Sequence, residues 1–106
     1  MIRQSSYTLK DKIGFKEAKR HALEALEMGV FQHEVRNQID EKNLLHAGDV
    51  TTEEVINIIE RCNGRHHTEN SHHTIAAVTV HVLKRDGWYI KFYFVGTDLF
   101  FLSVHK

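Results

Sequence analysis

From Val78 onward the chain alternates with a period of two, and nothing else in the sequence limits its fold as strongly. Val78, Val80 and Val82 alternate with Thr79, His81 and Leu83, and Trp88, Ile90, Phe92 and Phe94 alternate with Tyr89, Lys91, Tyr93 and Val95. Successive side chains of a strand point to opposite faces, so this pattern reads as strands with one apolar face. Arg85-Asp86-Gly87 carries the Asp-Gly signal of a tight hairpin, Gly96-Thr97-Asp98 is a second turn, and a last strand runs from Leu99 to His105. The expected unit is a three-stranded antiparallel meander.

The preceding half has helical spacing instead. Phe15, Ala18, Ala22, Ala25 and Leu26 form one stripe that Gly29 can end. Phe31, Val35 and Ile39, followed by Leu44 and Leu45, predict a second helix that breaks at Gly48. The third has the clearest start. Thr51 and Glu54 match a capping box, Val50 and Val55 match a hydrophobic staple, and Val55, Ile58, Ile59 and Cys62 form a stripe before Gly64. The polar stretch Arg65–His73 reads as a loop or an irregular edge strand. The expected fold is α+β, one domain over 1–106, with N-terminal helices (mainly 1–62) packed on one face of a C-terminal antiparallel sheet (65–106).

Composition narrows the function classes. Cys62 is the only cysteine, so an internal disulfide and a multi-cysteine zinc site are excluded, and Cys62 itself reads as a small core residue. The apolar runs are too short to span a membrane, and Met1–Ser6 lacks the apolar stretch of a signal peptide, so a cytoplasmic location is expected. The 106 residues hold 14 basic and 14 acidic side chains, which excludes a uniformly basic domain. The balance is uneven, however. Residues 1–60 carry 8 basic and 11 acidic groups, while residues 61–106 carry 6 basic and 3 acidic groups and six of the nine histidines. Such asymmetry suits a basic working surface on an acidic support.

Strand alternation sorts these polar groups. Val78/Val80/Val82, Ile90/Phe92/Phe94 and Phe100/Leu102/Val104 are expected to face the helices. The other face would hold Thr79/His81, Tyr89/Lys91/Tyr93 and Phe101/Ser103/His105: imidazoles, phenols and an ammonium, with no carboxylate. The plain reading is the solvated face of a half-buried sheet. The chemical reading is a site for an anionic substrate. Metal-free RNA cleavage needs a base for the 2′-OH, an acid for the leaving 5′-oxygen and a cation at the phosphate. His81 and His105 could supply acid and base, Lys91 could hold phosphate, and Tyr89 and Tyr93 could position phosphate or stack on a base.

The segment Ser71-His72-His73-Thr74-Ile75, then Gly87-Trp88-Tyr89-Ile90-Lys91-Phe92, then Leu102-Ser103-Val104-His105-Lys106 resembles the MqsR-type mRNA interferase toxins. These are small bacterial ribonucleases of RelE-like fold, encoded beside an antitoxin. The shared order is Ser-x-His-Thr-Ile, Gly-x-(x)-Tyr-x-Lys and a Ser-x-basic ending, over residues 71–106. The resemblance implies a RelE-like architecture, an RNA substrate, a cognate antitoxin partner and no cofactor. It places the family's strand tyrosine on Tyr89, the following lysine on Lys91, the C-terminal basic residue on His105 and an upstream catalytic lysine near Arg65. The family's glutamine falls on Ala77 or nearby, where His73 or His81 could substitute; an inactive or retargeted relative is the alternative. The expected catalytic set is His81, Lys91, His105 and Tyr89, and the expected RNA contacts are Arg65, His73, Tyr93, Lys84 and Arg85.

Two other readings compete. His66, His67, His72 and His73 could form a metal-binding loop, although adjacent histidines do not easily face one ion and Glu69 is the only carboxylate nearby. Alternatively, Trp88, Tyr89, Tyr93 and Phe101 could serve a non-catalytic interaction module. His21, His33 and His46 read as surface or satisfied residues of the helical half.

Overall fold

A computed structural model describes residues 13–34 and 42–106. The first helix, α1 (Phe15–Met28), buries Ala18, Ala22 and Leu26. Gly29 closes it at φ 73°, a left-handed conformation that costs glycine little, and the Val30 N–H reaches back to the Ala25 carbonyl at 2.9 Å. The second expected helix does not form as a unit. Gln32–His33 is a short strand, β1, and among the described residues of that stretch only Leu44–Ala47 is helical (α2), capped by the Asn43 side chain. Val35 and Ile39 lie outside the described residues. Long-range packing overrides helical spacing at Phe31, whose ring meets Phe101 edge-on at 5.7 Å while Glu34 donates its N–H to the Phe101 carbonyl.

The third helix, α3 (Thr52–Arg61), starts as its sequence dictates. Thr51 Oγ1 accepts from the Glu54 N–H at 3.1 Å and Glu54 accepts from the Thr51 N–H at 2.8 Å. It ends at Cys62 rather than Gly64, which opens a 3-10 turn, Gly64–His66. Lys19 of α1 donates to the Glu60 and Cys62 carbonyls, both at 2.9 Å, so one ammonium satisfies the end of α3 and ties the two helices. Cys62 is buried, and burial pushes its thiol pKa up.

Four further strands follow: β2 (His67–Ser71), β3 (Thr79–Arg85), β4 (Trp88–Val95) and β5 (Asp98–His105). The sheet order is β1-β5-β4-β3-β2, with β1 parallel to β5 and all other pairs antiparallel. The expected meander is therefore the centre of a five-stranded mixed sheet, and the polar stretch after α3 supplies one edge. No helix among the described residues is long and apolar enough to cross a membrane.

Register decides which side chains meet. Leu83, Ile90, Phe92, Leu99, Phe101 and Val104 pack with the buried faces of α1 and α3. Val78, Val80, Val82, Tyr93 and Leu102 form a second buried cluster on the far face, with Tyr89 and Phe100 against it. β3 has the opposite phase to that expected from its alternation: Val80 pairs with Tyr93 and Val82 with Lys91, so the valines face away from the helices while His81 faces them. In β5 the register shifts between Lys91, opposite Ser103, and Phe92, opposite Phe101, leaving Leu102 as the extra residue of a β-bulge. Phe101 consequently lies in the helix-side core and Leu102 on the far face.

Candidate functional site

The far face gathers three of the four expected catalytic residues. Tyr89 pairs with His105 across β4 and β5, and their rings stack at 5.0 Å between centroids. Lys84 pairs with Tyr89 from the other side and holds Nζ 5.6 Å from its ring centroid. Lys91, two residues along, lies opposite Ser103 and Val82. Tyr89, Lys91 and His105 are half-buried and Lys84 is exposed. The Nδ1 of His105 lies 3.1 Å from the Lys106 carbonyl, to which it can only donate, so Nε2 is the basic nitrogen. The 3-10 turn bearing exposed Arg65 leads into β2 at this same end of the sheet and packs against β3.

His81 does not join them. It is 1 % exposed on the helix-facing side, stacked on Phe92 at 5.5 Å, with Nδ1 3.0 Å from Nε2 of His67. Burial, and then the neighbouring His67, lower its pKa from 6.5 to about 4, so it is neutral at pH 7. Burial lowers the pKa of His67 as well. Arg85 also departs from the expected group: its guanidinium donates to the Arg61 carbonyl at the end of α3 and lies beside Asp86. Tyr93 is buried and donates its hydroxyl to Glu34.

Glu34 is the residue that the sequence did not single out. It follows β1 on the far face, which is therefore not free of carboxylate. Its Oε1 accepts from His72 Nε2 at 2.8 Å and from the Tyr93 hydroxyl, and its Oε2 lies 3.2 Å from His73 Nε2. His72 Nδ1 accepts from the Thr74 and Ile75 N–H groups at 3.0 and 3.1 Å, which fixes the proton on Nε2. No local pattern announces this contact, because 38 residues separate Glu34 from His72. The exposed loop that follows holds Ala77, where the resembled family has its glutamine.

The four histidines of the metal-loop reading are dispersed. His66 Nδ1 accepts from the Asn63 N–H and caps the 3-10 turn. His67 opens β2 and His72 follows its last residue, about 16 Å away along an extended chain. The adjacent pair His72 and His73 does meet one partner, Glu34, with rings 4.0 Å apart. Of the aromatics assigned to an interaction surface, Tyr93 and Phe101 are buried and only Trp88 and Tyr89 keep partial exposure. His21 lies against Glu17 on α1, and His33 packs on His46 at 4.6 Å. No protein-family model, curated protein or solved structure matches this chain.

Proposed function

We propose that the chain is a metal-independent endoribonuclease, a cytoplasmic mRNA interferase toxin restrained by a cognate antitoxin protein. The observation that carries this reading is the group Lys84, Tyr89, Lys91 and His105 on one face, with a stacked phenol and imidazole beside the Lys84 ammonium and Lys91 two residues along the same strand.

Each group has a role that balances. His105 Nε2 takes the proton of a ribose 2′-OH, and the 2′-oxygen attacks phosphorus. The bond from phosphorus to the 5′-oxygen breaks, and the Tyr89 hydroxyl protonates that oxygen. The products are a 2′,3′-cyclic phosphate and a 5′-hydroxyl, and the proton on His105 returns to Tyr89 through solvent. Lys91 and Lys84 offset the charge that builds on the phosphate oxygens. Arg65 contacts the RNA backbone from the neighbouring turn. His81, enclosed and neutral, takes no part.

Purified chain should cleave single-stranded RNA in the presence of a chelator, and its expression should arrest bacterial growth. His105→Ala and Tyr89→Phe should each slow cleavage by about 100-fold or more and relieve the arrest. Undiminished cleavage by both variants, or an absolute need for a divalent ion, overturns the reading.

A further inference from the structure

Among the described residues, two groups of side chains have the composition of a metal site, and their wiring separates them. His67, Glu69 and His81 form one, and Glu34, His72 and His73 the other; within each, the ligand atoms lie within 4.8 Å of one another. In the second group His72 cannot ligate as it stands. Its Nδ1 is occupied by two backbone N–H groups and its Nε2 carries the proton given to Glu34.

The first group is different. His67 and Glu69 are on one face of β2, and Glu69 pairs directly with His81 of β3. His67 Nε2 and His81 Nδ1 point at each other across 3.0 Å. Two ligands at right angles on one ion, each about 2.1 Å away, are also about 3.0 Å apart. One of the two nitrogens now bears the shared proton. Moving it to the other nitrogen of the same ring frees both lone pairs, and no proton leaves the pair. Two imidazoles and one carboxylate on neighbouring strands make a facial triad with open positions, a donor set that suits borderline transition ions and not Mg2+ or Ca2+.

We propose that His67, Glu69 and His81 bind one divalent transition-metal ion that pins the edge strand β2 to β3. The ion would lie on the helix-facing side of the sheet, while Tyr89 and His105 stack on the far face, so its role is structural and the proposed cleavage remains independent of metal. Loss of one assignment leaves the other standing, because binding and cleavage are read separately.

The test titrates the metal-free full chain with Co2+ followed by visible absorption, and with Zn2+ followed by thermal melting. One equivalent should bind and raise the melting temperature, and Mg2+ should do neither. His67→Ala and Glu69→Gln should each weaken binding by about tenfold or more, with His73→Ala unchanged. No binding at 100-micromolar metal, or binding that survives His67→Ala and disappears in His73→Ala, overturns the proposal.

Discussion

The two faces of the sheet each hold a histidine cluster beside an apolar one, and they handle protons differently. On the helix side, His67 and His81 share a single hydrogen bond, and burial keeps His81 uncharged. On the far side, the Glu34 carboxylate collects His72, His73 and the Tyr93 hydroxyl, and backbone donors lock one of the rings. Similar residues thus give a neutral pair on one face and an anion-centred network on the other. The cause is the company each keeps: Phe92 and Phe94 surround His81, whereas β1 delivers Glu34 to Tyr93. Buried polar groups are costly unless partnered, and these two histidine clusters find their partners in two ways.

Acid should expose this difference most strongly. Between pH 6.5 and about 4 the unfolded chain binds a proton at position 81 that the folded chain refuses. Stability is therefore complete above pH 6.5 and falls as the pH drops toward 4, by about 3 kcal/mol from this residue. Urea unfolding in chelator at pH 7 and at pH 4.5 measures the loss, and imidazole NMR should show one ring that does not titrate above pH 5. A full set of histidines titrating above pH 6 would erase the contrast between the faces.

On the far face the decisive residue is the acceptor. Glu34→Ala leaves His72 Nε2–H and the Tyr93 hydroxyl without it, and should cost about 2 kcal/mol by urea unfolding. Combined with Tyr93→Phe, the loss should fall short of the sum of the two single losses by about 1 kcal/mol, because both remove the same bond. Strict additivity would show that the network is not one unit.

The smallest effect should have the opposite sign. Ser103 is fully buried on the far face, and its Oγ has no hydrogen-bond partner. Ser103→Ala removes an unpaired polar atom and should raise stability by about 0.5–1 kcal/mol. A loss of similar size in the same assay would reveal a bond that Oγ makes in solution.

The parts legible in the sequence are those set by neighbours along the chain. The Thr51–Glu54 box, the α1 stripe with its Gly29 stop, the Asp86-Gly87 turn and the helix-facing phase of β4 all follow from residues within a few positions. The phase of β3 was not legible, because Val80 and Val82 compete with Leu83 for the core and both choices read as apolar. Nor was β1, whose pairing with β5 spans most of the chain. Of the candidate site, the order Tyr89, Lys91 and His105 along two adjacent strands was readable. His81 was misplaced for the same reason as β3, and Glu34 became visible only when the chain closed.

The bulge at Leu102 has a consequence best counted in codons. Without the extra residue, strand parity would follow Leu99 and Phe101 with Ser103 and His105 on the helix side. One additional residue reverses that parity, so Val104 fills the core and His105 arrives beside Tyr89. A single in-frame insertion or deletion in the last strand is therefore enough to move the terminal imidazole from one side of the protein to the other, with every other strand left in place.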